Sequence, residues 1–535
     1  MKYLYAVMAV LFGFIDLEKI KKLLLSKTGK FVGSALTGYI MSLSLAPVNM
    51  WVLAVAGLVL FLMLSMFFDT KKQVFFCTLT FFTAYAFSTI NWIEYVMADF
   101  GKIPSALSYF VVLLFSTFYI ALPYAITNTI AYKLGSSKKS IYVLCFMPVA
   151  FILSDIFIYY FLTGFPWTYI GYCFIDSPLK NYAPITGVLG INLFVYLMCA
   201  ALSLSVYRKY LFFPVAASIL ILSVFLEGNT FVKRLNEPVK VALMQGNIEQ
   251  SVRNNGSNIR QVLAKYWSLT QKRIENNSLI IWPESAISYP YEYISGFVTD
   301  LDSALKDKDA TLITGTLSYK GADEIYNSII TLGNAHKAGT EIYSYNKRVL
   351  VPFGEVVPFA SLLRPLGSIF VIPNSSFSYG LENQRPISAD KYSFTPAICY
   401  EAIFSDTVAS LDSADTNGIV MLSVDSWFGP TKGPIQHLNI ARMRTIELQK
   451  PMLRATNSGI TAYIDERGNI VDMLPSDVTD VLETTFYPVK GQTLYSRFGN
   501  IFTYIFSLFL LIMGIIGLKR KDDPNSELIE KMVRS

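Results

Sequence analysis

Three side chains of this sequence, two of them where short apolar runs give out, could together perform acyl chemistry. Glu284 follows Ser278–Trp282 in Trp282-Pro283-Glu284-Ser285, Lys347 sits in Tyr345-Asn346-Lys347-Arg348, and Cys399 closes Pro396-Ala397-Ile398-Cys399-Tyr400-Glu401. A free thiol has a pKa of about 8.5, so at neutral pH it needs a base or a cation before it becomes a nucleophile. A carboxylate can take its proton, and an ammonium can stabilise both the thiolate and the oxyanion formed on an acyl carbonyl. No histidine is required. Taken singly, each residue has a plainer reading: Glu284 as a surface or capping carboxylate, Lys347 as a solvated charge beside Arg348, Cys399 as a core thiol. His437, in Gln436-His437-Leu438, reads as a packing or capping residue at a helix start.

The rest of the composition narrows the chemistry. Of five cysteines (Cys77, Cys145, Cys173, Cys199, Cys399) only Cys399 lies outside the apolar first half, and the only histidines are His336 and His437. A disulfide framework and a Cys/His metal site are therefore not expected, nor is a cofactor. The net charge of +6 is concentrated in short loops between apolar segments, with no basic stripe interleaved with aromatics, so nucleic acid is not an expected partner.

The chain's 535 residues would suffice for three or four average domains at about 150 residues each. Hydrophobic residues make up 53% and charged residues 16%, against about 45–50% and about 25% in soluble domains. The apolar excess sits before residue 230 and near the C-terminus. A hydrocarbon core of about 30 Å needs roughly 20 apolar residues per helix, and eight stretches qualify: 31–48, 51–68, 74–93, 108–131, 141–163, 188–207, 211–227 and 499–517. No paired charges mark these stretches as a transport path. The loops alternate in charge. Lys71 and Lys72, then Lys133, Lys138 and Lys139, then Arg208 and Lys209, and finally Lys519, Arg520 and Lys521 fall on one side; only Lys102 and Lys180 fall on the other. Positive charge marks the cytoplasmic side, which puts the soluble region outside. The expected organisation is an N-terminal extension (1–29), a membrane domain of about seven helices (30–235), a catalytic domain (236–492), a last transmembrane helix (493–518) and a cytoplasmic tail (519–535). The apolar run at residues 3–15 is read as a membrane-associated extension.

Within 236–492, strands are expected at Val239–Met244, Ser278–Trp282, Ala310–Thr316, Ser328–Leu332, Thr395–Cys399 and Ile419–Val424, with helices over Asn254–Glu275 and Ile435–Gln449. They are short β-branched runs bounded by turn formers and separated by helical patterns, a layered α/β arrangement with its site at strand ends.

In their order Glu284, Lys347, Cys399, these residues resemble the nitrilase superfamily, and the chain over about 30–518 resembles the bacterial apolipoprotein N-acyltransferase family. The resemblance is carried by Val241–Ile248, Ile281–Ala286, Tyr345–Glu355, Ala397–Glu401, Asp425–Gly429, Ile440–Arg444 and Arg454–Gly459. Thr163–Trp167 and Gly171-Tyr172 carry it in the apolar part. It implies an α-helical membrane domain of about eight helices joined to an αββα sandwich. It implies Glu284 as general base, Cys399 as nucleophile and Lys347 as oxyanion support, with Glu355, Tyr400 and Glu401 as supporting residues. It also implies a phospholipid acyl donor, typically phosphatidylethanolamine, a thioester on Cys399, and a diacylglyceryl-cysteine apolipoprotein acceptor. The expected setting is the bacterial inner membrane with the catalytic domain in the periplasm. At Arg253-Asn254 the sequence departs from the family, which often has a basic residue followed by Trp. The apolar segment 356–372 reads as a lipid-touching arm or a buried core segment. A nitrilase-type amidase with one anchor, a catalytically inactive scaffold and a transporter are the competing readings; the first is disfavoured by eight spans, the second by the intact Glu-Lys-Cys set.

Overall fold

Side chains that cannot be left in water decide the architecture at both ends of this chain. The computed structural model describes residues 26–207, 210–253, 256–275, 278–321, 324–335, 342–357 and 377–520. They form two compact units, one from the first 98 residues with Ile103–Gly228 and Asn500 onward, the other from Asp99–Lys102 and Asn229–Gly499.

In the first unit all eight apolar stretches are helical: Lys27–Ser42, Trp51–Ser65, Lys71–Ile90, Ser105–Gly135, Lys139–Tyr160, Ala183–Tyr207, Phe213–Phe225 and Ile501–Lys519. Five helices are long and apolar enough to cross a membrane; Trp51–Ser65 and Phe213–Phe225 are apolar but shorter. Lys27–Ser42, 16 residues long, is started by Ser26, whose hydroxyl accepts the Gly29 N–H at 3.0 Å. It packs through small residues, because apolar bulk gives helices no reason to associate in lipid. At Gly38 a Cβ would lie 2.1 Å from the Phe81 carbonyl oxygen, so no larger residue fits that crossing.

A polar knot holds the unit's centre. The fully buried Asp155 accepts hydrogen bonds from the Tyr124 hydroxyl, from Asn192 Nδ2 at 2.8 Å and from the Tyr196 hydroxyl at 3.1 Å. Its backbone carbonyl accepts the Tyr169 hydroxyl at 2.8 Å, and Asn192 Oδ1 accepts the Gly171 N–H at 2.7 Å. The Thr163–Tyr172 motif is thereby tied to the helices. Its acidic anchor is an ionisable group in an apolar stretch, satisfied by neutral donors rather than by a second charge.

The second unit is a four-layer sandwich. One sheet runs Asp480–Phe486, Val239–Gln245, Leu279–Ile281, Thr311–Lys320, Glu324–Gly333, Ser344–Asn346, with Ile287–Pro290 beside Thr311–Lys320. The other runs Ile470–Met473, Ala462–Ile464, Met452–Thr456, Gly418–Ser423, Tyr392–Ile398, Ile387–Ala389. Because side chains alternate along a strand, Leu243, Ile281 and Ile313 meet Ile398, Leu422 and Leu453 between the sheets. Their neighbours Ala242, Ile280 and Leu312 face Val262, Tyr266 and Val298 of the helices Ile259–Gln271 and Ser295–Lys306. On the far side Ile419 and Met421 pack on Leu438 and Ala441 of the helix Gly433–Leu448.

Each sheet has a parallel core: Val239–Gln245, Leu279–Ile281 and Thr311–Lys320 in one, Tyr392–Ile398, Gly418–Ser423 and Met452–Thr456 in the other. Parallel strands end together, so the turns after their carboxyl ends collect at one edge, where α/β folds place their sites. The helix expected over Asn254–Glu275 is Ile259–Gln271 among described residues. The strand expected to include Cys399 stops at Ile398. Residues 1–15, His336 and all but Val356 and Val357 of the 356–372 segment lie outside the described residues.

Candidate active site

Glu284 is placed by the residue before the proline. Trp282 extends the ladder through its N–H to the Ile313 carbonyl at 2.9 Å, and its indole N–H donates to Thr270 Oγ1 at 2.8 Å. Pro283 then ends the strand, because it has no N–H for the ladder. The neighbouring strand must come unusually close to this turn. A Cβ on Gly315 would lie 2.6 Å from Glu284 Cα, from the Pro283 carbonyl oxygen and from Ser285 N. We expect Gly315→Ala to displace Glu284 and to slow acylation of Cys399 by about 100-fold, since misplacing a reacting group by an ångström has that cost. Rapid-quench measurement of acyl-enzyme formation checks this; a rate within threefold of the parent, roughly, would refute it.

Lys347 follows the strand Ser344–Asn346 and is fully buried at 1% exposure. Its Nζ lies 2.9 Å from Glu355 and 3.5 Å from Glu284 Oε1. Glu355 is held across from it by a tight turn, in which the Val351 N–H donates to Glu355 Oε2 at 2.8 Å and the Glu355 N–H to the Val351 carbonyl at 2.9 Å. Asn327 Nδ2 bridges the two carboxylates, donating to Glu284 Oε1 at 2.8 Å and to Glu355 Oε1 at 2.9 Å. All of this leaves Glu284 Oε2 buried without a hydrogen bond, a lone pair able to receive a proton.

Cys399 opens the turn after its strand with φ of 48°, the left-handed region. For a non-glycine residue this costs about 1–3 kcal/mol and persists only where surrounding contacts impose it. Two sets of contacts do so. Glu401, itself buried, accepts the Ile398 N–H at 2.8 Å on one oxygen and the Arg348 N–H at 2.6 Å and Tyr345 hydroxyl at 2.9 Å on the other. One carboxylate thus fastens the Cys399 turn to the Lys347 loop. Tyr400 is buried and packs edge-on against Phe404. From the other side His437 Nε2 lies 3.1 Å from the Cys399 carbonyl oxygen, to which it donates. His437 Nδ1 lies 3.1 Å from Asp425, whose second oxygen accepts Arg454 Nη2 at 2.7 Å.

His437 therefore does not cap its helix, which begins at Gly433. It is fully buried and holds the nucleophile's backbone. Its neighbours Asp425 and Arg454 lie in two separate family-like motifs, and their spacing carries no sign that they meet at His437.

The electrostatics follow from burial and pairing. Burial, with the Glu284 carboxylate, pushes the Cys399 thiol well up, and Lys347 opposes them only in part. The resting nucleophile is a thiol. Burial also raises Glu284, with Lys347 working against it and Glu355 with it. Burial alone would pull Lys347 down, but Glu355 and Glu284 reverse this and hold it as a cation. Burial tends to raise Asp425, and Arg454 and His437 overcome it, keeping that carboxyl well below the usual range.

A pH dependence follows. Glu284 must be ionised to accept a proton, and its pKa is raised, so it becomes protonated at a higher pH than an ordinary glutamate. The acid limb of kcat/KM should thus lie above about pH 4.3, the unperturbed glutamate value. A pH–rate profile with that limb at or below the unperturbed value would contradict the assignment.

Two stretches of the chain match known families. Residues 37–201 match the apolipoprotein N-acyltransferase N-terminal domain, and residues 240–489 match the carbon-nitrogen hydrolase family. An apolipoprotein N-acyltransferase of Photobacterium profundum is 36% identical over 502 residues, covering 92% of this chain and 96% of that protein. Those of Vibrio cholerae and Shewanella oneidensis are 35% and 33% identical, covering 89% and 90% of this chain and 94% of each relative.

Proposed function

This chain belongs to the apolipoprotein N-acyltransferase family, and on that premise we propose that it moves an acyl chain from a phospholipid, through a thioester on Cys399, to the α-amino group of a diacylglyceryl-cysteine at the N-terminus of an apolipoprotein. The observation that carries the reading is one buried cluster. In it a carboxylate with an unpartnered oxygen and an ammonium fixed by two carboxylates act electrostatically on the only cysteine between residues 229 and 499.

In the first half-reaction Glu284 takes the thiol proton as sulfur attacks the ester carbonyl. Lys347 supports the oxyanion. The carbon–oxygen bond breaks, Glu284 returns its proton to the departing glycerol oxygen, and a lysophospholipid leaves. In the second, the acceptor's neutral amine attacks the thioester and Glu284 receives its proton. The carbon–sulfur bond then breaks, the thiolate is reprotonated by Glu284, and an amide is formed. Protons balance over the cycle, and ping-pong kinetics are expected. Glu355, Glu401 and Tyr400 act by position: Glu355 fixes Lys347, Glu401 locks the two loops, and Tyr400 packs beneath the nucleophile's turn.

The setting in this reading is a bacterial inner membrane. The exposed apolar faces of the helical unit, such as Leu508, Phe509 and Ile512 on the last helix, suit contact with acyl chains. The alternation of loop lysines supports a periplasmic side for the catalytic unit. Phosphatidylethanolamine is the donor proposed.

The purified protein in phosphatidylethanolamine vesicles, given a diacylated lipopeptide, tests this. The expected products are triacylated lipopeptide and lysophospholipid in equal amounts. Free fatty acid with unmodified lipopeptide would identify a hydrolase instead.

A further inference from the structure

Among the described residues of the catalytic unit, Arg253 is a buried cation with no carboxylate within ion-pair distance. Arg253 closes the short helix Gln250–Arg253 and is 6% exposed. Its Nε and Nη1 are buried and make no hydrogen bond, and among the described residues no carboxylate lies within ion-pair distance. Arginine differs from a buried lysine here, because a guanidinium cannot shed its proton to escape an apolar site. A permanent charge with idle donors is costly to bury and is seldom left so without a function.

The helix carrying Arg253 is held firmly. The Asn247 N–H donates to the Asn457 carbonyl at 2.6 Å, and the Ile248 N–H to Asn457 Oδ1 at 3.1 Å. The Ile248 carbonyl accepts Asn457 Nδ2 at 2.8 Å. Gln250 Oε1 accepts the Ser426 hydroxyl at 3.3 Å, from the turn beside Asp425. Arg253 is near enough to Glu284 and Cys399 for its charge to act on both, while burial draws its own pKa below the ordinary value.

Glu284 is near enough to act on Arg253 but, among the described residues, does not engage its idle donors, so an anion that pairs with them enters with a substrate. Glu355 already has its oxygens engaged by Lys347, Asn327 and the Val351 N–H. The oxyanion exists only in transit and has Lys347 to support it. The acceptor brings an amine, which a guanidinium does not attract. The donor brings a permanent anion, and in a glycerophospholipid only a few bonds separate the scissile ester from the phosphodiester. A guanidinium fork matches phosphate oxygens in geometry as well as charge. We propose that Arg253 anchors the phosphodiester of the acyl donor and so presents the donor's ester to Cys399. This rests on the reading of acyl transfer through Cys399 and deepens it: the donor is recognised at its phosphate, close to the reacting atoms.

The test compares Arg253→Gln with the parent protein, measuring the rate of Cys399 acylation from phosphatidylethanolamine and from a phosphate-free activated ester, p-nitrophenyl palmitate. The ratio of the two rates should fall by about tenfold or more in the variant, the worth of a charged hydrogen bond, and Arg253→Lys should restore part of it. A ratio unchanged from the parent overturns the proposal, whether both rates fall, which would put Arg253 on the thiolate or oxyanion, or neither does. Should the variant fail to fold, the parent protein decides alone. A non-cleavable diether phosphatidylethanolamine should compete with the activated ester, and the diether glycerol without phosphate should not; equal competition overturns the proposal. No Cys399 adduct from either donor in the parent would remove the acyl-transfer reading and this inference together.

Discussion

Cys399→Ala should abolish acylation of a diacylated lipopeptide, lowering turnover by at least about 10⁴-fold, because removing a covalent nucleophile removes both half-reactions. The neighbouring groups cannot substitute for it. Among described residues, the pocket otherwise holds carboxylates already bound by Lys347 and Asn327, and His437 is committed to the Cys399 carbonyl and Asp425. The variant should fold. Alanine deletes a single heavy atom, and the contacts that impose φ of 48° at this position act on the backbone, through the His437 bond to the carbonyl and the Glu401 bracket at Ile398. A lipopeptide acylation assay on protein of unaltered thermal stability checks the expectation. Turnover within tenfold of the parent, roughly, would exclude a thioester route.

Glu284→Gln should slow Cys399 acylation by about 10²–10⁴-fold, the usual contribution of a positioned general base. The substitution changes little else. A glutamine oxygen can still accept the Asn327 Nδ2 bond that Glu284 Oε1 accepts at 2.8 Å, and Lys347 keeps its 2.9 Å partner Glu355. What disappears is proton affinity at the unpartnered second oxygen. Because burial and the Glu284 carboxylate raise the thiol, the parent holds a neutral nucleophile that must lose its proton during attack. Without the base, the remaining rate should rise with pH toward the thiol's own ionisation, and the acid limb assigned to Glu284 should vanish. A variant with the parent's rate and the same acid limb would assign the base elsewhere.

The layered fold was legible because burial leaves a strong mark on sequence. Leu279-Ile280-Ile281 is apolar at each position since both faces of that strand are covered, one by the second sheet and the other by helices. The helical unit was legible for the same reason, although helix length and apolarity alone qualify five helices rather than eight. Glu284 and Glu355 both lie beside Lys347. The groups that hold them were harder to read. Asn327 lies mid-strand in Glu324–Gly333 with no motif around it, yet it bridges two carboxylates. Gly315 carries no motif of its own, and only the approach of the Pro283-Glu284 turn explains it. His437 reaches across 38 residues of chain to Cys399, a distance over which local pattern carries no information. Arg253 keeps the basic residue of a family pattern that Asn254 breaks, whereas its burial without an ion-pair partner among the described residues is a tertiary fact.

The most direct measurement of the central claim is intact-protein and peptide mass spectrometry of the protein incubated with phosphatidylethanolamine and no acceptor. The predicted result is a single acyl increment on the peptide containing Cys399, removed by neutral hydroxylamine and lost on addition of diacylated lipopeptide with matching gain of mass in that peptide. An acyl group on another residue, or lipopeptide acylation proceeding at full rate with Cys399 never modified, would contradict it.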